Sequence, residues 1–421
     1  MFLHEKKEIS KSGAYIDCVC TDRFRFASFS LTFSLGKLTF AERQALYALS
    51  RMMENGSREY PTPEALDIAL AMMYDAEISF SFTECESGVL LHAEADFADT
   101  PAIGSDLLLR ILSYIKSTLL YPFPEGDGAD KLLARIKGEI KGDCDALTSD
   151  PDSYSYSAYK DAVYAGARDR LTFKGICDIP GSVTLEDVRK LHESVKRAPL
   201  VYAFYVGRAD AERVSELICS HFDGYAAERV IPLSPCPDKS GQVREGPMGS
   251  STRMYLGYSY SCPDADANIL AGYLGGVPVS RLYTVLREKN RYCYSVYAER
   301  SNMGLFTVTA AVGTRYEARS REAVLDVIRE ACERAVPSVL SAAKEASLVA
   351  ARYVYENRRA CERFFFSAFV KRERADIEER MARIKAFDAK ALSAAAQSLS
   401  LSAEYVLFGV SEPFAKKGYM R

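Results

Sequence analysis

Four histidines, His4, His92, His192 and His221, are the whole supply of imidazole in this chain, and no two of them stand four residues apart. A helical metal site needs ligands at that separation, because residues i and i+4 share one face. His192 is followed by Glu193, but the position four residues on is Lys196. The cysteines include no C-x-x-C pair, Cys18 and Cys20 being the closest two, so neither a thiolate zinc site nor a redox pair is written into the spacing. Ser113 to Lys116 and Ser341 to Lys344 fit S-x-x-K, without the S-D-N and K-T-G companions of a serine nucleophile. Phosphate-cradling glycine loops and a G-x-S-x-G elbow are missing too. What stands out instead is the run Leu270 to Tyr294, LAGYLGGVPVSRLYTVLREKNRYCY. Its helical pattern breaks at Gly275-Gly276 and restarts after Pro278 with Ser280 as a candidate N-cap. It carries Arg287 and Tyr294, seven residues apart, into a strand that begins near Tyr292.

The elements that would position these residues occur twice. A strand at Ser28 to Phe33 precedes a helix with apolar Ala45, Leu46, Leu49, Met52 and Met53. Its counterpart is a strand at Arg253 to Tyr260 before a helix around Ile269 to Leu274. Val89 to Phe97, followed by Leu107, Leu108, Ile111 and Leu112, is matched by Leu305 to Val312, followed by Val324, Leu325, Val327 and Ile328. Long helical regions near Lys131 to Asp145 and Ala342 to Arg363 come next. Each half ends as helix then strand, at Thr184 to Gly207 and at Asp388 to Val410. Strand polarity alternates at period two while the helices keep period 3.6, which predicts an α+β fold of mainly antiparallel sheets covered by helices. Ile231 to Ser251, with Pro232, Pro235, Pro237 and Pro247 among glycines and polar residues, reads as a linker. The expected organisation is two homologous domains, 1–230 and 252–421, joined by 231–251 and closing like a clamshell.

Composition bounds the functional classes. A chain of 421 residues with 48% hydrophobic and 26% charged residues is globular and long enough for two cores. A net charge of −3 gives no general attraction for nucleic acid or anionic membrane. MFLHEKKEIS lacks the apolar core of a signal peptide, and no apolar run reaches membrane-spanning length. The expectation is a cytoplasmic protein with reduced thiols. Arg358 to Lys385 is basic around Phe364-Phe365-Phe366 but interrupted by Asp376, Glu378 and Glu379, which reads as a packed helix with a solvated charged face. The group Tyr154, Tyr156 and Tyr159 fits a groove lining and interface packing equally well.

The run GG…SRL…LREK…Y (Gly275 to Tyr294) resembles the C-terminal half of the insulinase-like, or inverzincin, metallopeptidases. That resemblance extends in order over nearly the whole chain. It implies that Arg287 and Tyr294 hold a substrate peptide by donating hydrogen bonds to its carbonyls. The family's zinc motif is H-x-x-E-H on the first long helix, shortly before a Gly-Thr pair. Setting Gly56-Ser57 on that pair places Tyr47, Ser50 and Arg51 at the three motif positions. A phenol is a poor zinc ligand at neutral pH, a hydroxyl cannot replace the carboxylate base, and a guanidinium repels the metal. Glu139 falls where the family's third ligand would be, with nothing left to complete, and reads otherwise as an exposed or salt-bridged helix carboxylate. TDRF (Thr21 to Phe24), GSREYPT (Gly56 to Thr62), MYDA (Met73 to Ala76) and GGVPVSRLY (Gly275 to Tyr283) are similar to the non-catalytic bacterial type associated with 5-aminopentanol modification of elongation factor P. The resemblance thus implies a chain without catalytic residues, metal or cofactor of its own. It would close the chamber of a catalytic H-x-x-E-H partner of similar size, zinc residing in that partner, around a peptide or small-protein substrate. The alternative is a protein–protein scaffold or assembly subunit of the same fold.

Overall fold

A computed structural model of the chain describes residues 3–8, 14–85, 88–100, 103, 106–163, 170–222, 242–301 and 304–410. Two mixed sheets carry the repeat. The first holds β1 (Leu3–Glu8), β2 (Tyr15–Cys20), β3 (Phe26–Gly36), β4 (Glu77–Cys85), β5 (Gly88–Ala98) and β6 (Leu200–Gly207), in the order β1-β2-β6-β3-β5-β4. The second holds β7 (Gln242–Glu245), β8 (Thr252–Ser259), β9 (Cys293–Arg300), β10 (Phe306–Val312) and β11 (Ser400–Leu407), in the order β7-β11-β8-β10-β9. Apart from β1 the two orders superimpose strand for strand. Each sheet is antiparallel except for one parallel pair at the same place, β2 with β6 and β7 with β11. The expected α+β class and the paired halves are therefore what the chain adopts.

The two compact units are not simple halves of the sequence. One comprises Met1–Cys144, Asp169–Ser234 and Tyr353–Ala375; the other comprises Asp145–Arg168, Pro235–Arg352 and Asp376–Arg421. Each half of the chain lends the other unit one segment, so the divisions at 1–230 and 252–421 cut across the packing. Of the expected linker 231–251, residues 231–241 lie outside the described ones, and Gln242–Glu245 is a strand paired with Glu404 to Leu407. Sheet pairing overrides the Pro/Gly composition of its surroundings there.

The lent helices cover the sheet faces that alternation assigns to solvent. In the first unit Ser28, Ser30 and Thr32 of β3 are only 2%, 5% and 1% exposed. The helix Arg358–Lys371 lies over that face, with Phe369 stacked on Tyr202 (4.3 Å between centroids) and Phe365 on Phe204 (5.7 Å). In the second unit the helix Pro151–Val163 brings Tyr159 onto Tyr255 (4.9 Å) and its hydroxyl to Thr307 (3.0 Å), while the Tyr154 hydroxyl donates to Glu245 (2.9 Å). The tyrosine group is thus largely packing, with Tyr156 the exposed member. The region Ala342 to Arg363 is also not one helix. Pro337–Arg352 ends in a 3₁₀ turn at Tyr353–Tyr355, and Asn357 caps a new helix by accepting from the Ala360 N–H (2.9 Å). That second helix stops at Arg372 in the left-handed region (φ 57°), and Asp376 caps the next one, Ile377–Ala386. Arg358 and Arg359 consequently pair with carboxylates, Arg359 staying partly exposed to solvent.

Candidate functional site

Tyr47, Ser50 and Arg51 project from the helix Phe40–Asn55, which starts in a capping box: Thr39 accepts from the Glu42 N–H and Glu42 from the Thr39 N–H. Ala45, Leu46, Ala48, Leu49, Met52 and Met53 face the core and fix the helix rotation. Arg51 then meets the helix Gly128–Ser149, its guanidinium lying 3.3 Å from Glu139 and 3.5 Å from Asp143. Glu139 is also 3.7 Å from Arg135. The Tyr47 phenol is half-buried, and burial raises its pKa, so it stays protonated at neutral pH. Ser50 is 5% exposed, and its hydroxyl has no hydrogen-bond partner among the described residues. These groups do not fit a zinc ion: a tethered cation already lies between the carboxylates, and neither neighbour supplies a ligand. Among the described residues no group of three His, Cys, Asp or Glu side chains could hold a metal. Arg51→Ala is expected to cost about 1 kcal/mol, the pairs being partly exposed, without creating zinc affinity. Urea unfolding and metal analysis check both statements.

Arg287 and Tyr294 both sit on irregular backbone. Gly272–Gly276 and Tyr283–Lys289 are π-helical, a form that re-aims side chains and recurs at functional sites. Arg287 is exposed, has no carboxylate partner among the described residues, and lies with Cζ 5.1 Å from the centre of the Tyr283 ring. Among the described residues neither Glu288 nor Glu299 forms an ion pair with it. Tyr294 is the extra residue of a β-bulge: Ala311 faces Ser295 and Val312 faces Cys293, leaving Tyr294 between them and 69% exposed. Burial pushes the neighbouring Cys293 thiol up to about 11, and the Arg287 charge opposes that shift. Arg287 therefore acts within electrostatic reach of the residue preceding Tyr294.

The double glycine has a specific cause. A Cβ on Gly275 would lie 2.3 Å from the Ala298 nitrogen and 2.7 Å from the Tyr297 carbonyl carbon, so only glycine lets this helical turn touch β9. Ser280 is buried and its hydroxyl has no hydrogen-bond partner among the described residues, so it is not the expected N-cap. The other sequence candidates resolve plainly. The Ser113 hydroxyl donates to the Leu109 carbonyl (2.9 Å), a helix back-bond. His92 lies between Thr32 (3.1 Å) and Thr83 (3.0 Å). A cleft of about 650 Å³ in the first unit, lined by Arg58, Tyr121, Phe123, Arg189, His192 and Lys196, had no sequence signal because its walls come from three distant stretches. No helix among the described residues is long and apolar enough to cross a membrane.

Residues 182–345 match the family described as "Peptidase M16 inactive domain". The fold is similar to that of a conserved protein from Enterococcus faecalis, with TM-score 0.80 and 17% identity, covering 97% of this chain and 99% of that one. It is similar to a protease from Helicobacter pylori (TM-score 0.76, 15% identity, 97% and 100% covered). It also resembles a peptidase M16 inactive domain from Pseudomonas fluorescens (TM-score 0.73, 16% identity, 96% and 98% covered). Among curated proteins, an orotidine 5'-phosphate decarboxylase from a Roseiflexus species is 32% identical over 116 residues. That match takes in 25% of this chain and spans 40% of the relative's length, too little to carry an argument about activity.

Proposed function

From the match of residues 182–345 to the peptidase M16 inactive domain, we propose that the chain is a non-catalytic M16-type homologue and the peptide-holding subunit of a divided zinc peptidase. The observation that carries this reading is the pair Arg287 and Tyr294, both exposed and without hydrogen-bond or ion-pair partners among the described residues. A free guanidinium on a solvent face costs nothing to leave unpaired, and it becomes useful once a peptide carbonyl arrives. Together with the Tyr294 phenol it would offer two donors where negative charge develops on the carbonyl oxygen of an attacked peptide. The metal and the general base would come from a partner of similar size bearing H-x-x-E-H, and this chain would complete the chamber around the peptide.

The test has two stages. Gentle purification of the tagged chain from its native cells, followed by mass spectrometry, should recover a stoichiometric zinc-binding partner. In that assembled pair Arg287→Ala should lower kcat/KM on the order of a hundredfold while zinc content and assembly are unchanged. Unchanged turnover would end the substrate-holding role. Recovery of the chain inside a large unrelated assembly would favour the scaffold reading instead.

A further inference from the structure

Glu362 is a largely buried carboxylate that the reading above does not use, and it stands in a cluster whose charges do not balance. On the helix Arg358–Lys371, Arg358 Nη1 donates to Asp96 Oδ1 (3.0 Å), Ser28 Oγ (3.0 Å) and the Ala27 carbonyl (2.7 Å). Arg359 reaches the second oxygen of Asp96 at 2.7 Å and Glu94 at 3.2 Å. One turn on, Glu362 accepts a hydrogen bond from Ser30 beside Glu94 and Asp96. Three carboxylates thus share two guanidiniums, and one proton makes the cluster neutral. Among the described residues, the surrounding elements do not supply the missing cation. On β1 and β2, His4 is bound to Asp17 (2.8 Å), which also accepts from the Tyr202 hydroxyl of β6 (3.0 Å). On β5, His92 is held neutral because burial lowers its pKa to about 4. From the helix Phe40–Asn55, Glu54 adds a further carboxylate near Glu94, while Arg51 is engaged with Glu139 and Asp143.

We propose that the helix Arg358–Lys371 is a proton-dependent clasp on the polar face of the first sheet. It closes while Glu362 holds a proton and loosens when Glu362 ionises against Glu94 and Asp96. Burial first, and then the Glu94 charge, push the Glu362 carboxyl up to about 7, which puts the change at neutral pH. The sign follows from linkage. The closed helix keeps the proton at pH values where a released helix would lose it, so closure is strongest in acid. Closure then weakens as pH rises from the ordinary carboxylate range through about 7, and levels off above. The span corresponds to a change on the order of a hundredfold in the opening equilibrium.

Two measurements test the clasp. Hydrogen–deuterium exchange of the 358–371 amides at pH 8 compares wild type with Glu362→Gln, the permanently neutral isostere, under identical intrinsic exchange. The variant should be protected on the order of a hundredfold more, and the difference should shrink to about a few-fold at pH 5. Equal protection at pH 8, or a gap at pH 5 as large as that at pH 8, overturns the proposal. The chain has no tryptophan, so Phe364→Trp provides a single emitter on the helix. Its emission should titrate near pH 7 alone and stay flat when Glu362→Gln is added. A flat signal in both proteins, or titration in both, would equally overturn it.

Discussion

Replacing Gly275 with alanine is expected to cost about 3 kcal/mol, whereas Gly276→Ala should stay within about 1 kcal/mol of wild type. The neighbours differ because of what a methyl group would meet. At Gly275 it would collide with the β9 main chain, at 2.3 Å from the Ala298 nitrogen and 2.9 Å from the Tyr297 Cα. A backbone held in the β9–β10 ladder cannot swing aside as a side-chain tip can. At Gly276 the nearest atom is the Ala271 carbonyl oxygen at 3.4 Å, ordinary contact. The collision has a functional side as well, because relief must push β9 outward and β9 carries the bulge that presents Tyr294. On the proposed peptide-holding role, Gly275→Ala should therefore weaken peptide binding along with stability, while Gly276→Ala spares both. Urea unfolding of the two variants decides the matter: equal midpoint shifts would refute the close-approach account.

The duplicated plan was legible because its strands repeat at matched positions. β3, β5 and β6 and their counterparts β8, β10 and β11 each pair a strand with a neighbouring helix of clear period. The exchange of helices between units was not legible, since no local pattern says which sheet an amphipathic helix will cover. The same gap explains Ser28, Ser30 and Thr32. Alternation placed them on a wet face, and only the arrival of Arg358, Phe365 and Phe369 from more than three hundred positions away buries them. β7 was hidden in a Pro/Gly stretch because its stability comes from β11 and not from its own four residues. At the candidate site, the loss of zinc ligands at Tyr47, Ser50 and Arg51 follows from residue type alone. Its structural consequence, Arg51 clasping Glu139, needs the tertiary fold that brings positions 88 residues apart together. Likewise the spacing of Arg287 and Tyr294 was plain, but the bulge that exposes Tyr294 is a matter of register between β9 and β10.

Arg321→Ala is expected to be among the most damaging single changes in the second unit, at about 3–4 kcal/mol. Glu404 lies in β11 at 3% exposure, so its charge is almost wholly removed from water. Arg321 Nε meets both of its oxygens, at 2.9 and 3.1 Å, while Gln242 donates at 3.0 Å and Arg244 stands at 3.5 Å. Without Arg321 the carboxylate keeps, among the described residues, only those two partners on the short edge strand β7, and a buried charge left short of compensation costs more than the intact pair contributes. For a unit of this size the loss should lower the thermal midpoint by about 10 °C. The cause can be isolated in a double-mutant cycle, because Glu404→Gln removes the charge and keeps the shape. In that background Arg321→Ala should cost only about 1 kcal/mol; an undiminished cost would mean that Arg321 acts through its packing alone. The same logic reaches the lent helix Pro151–Val163. Gln242 and Arg244 anchor β7 to Glu404, and Glu245 of the same strand accepts from the hydroxyls of Tyr154 and Tyr405. Loss of Arg321 should therefore loosen β7 and that helix together, visible as faster amide exchange across 242–245 and 151–163, while the first sheet remains protected.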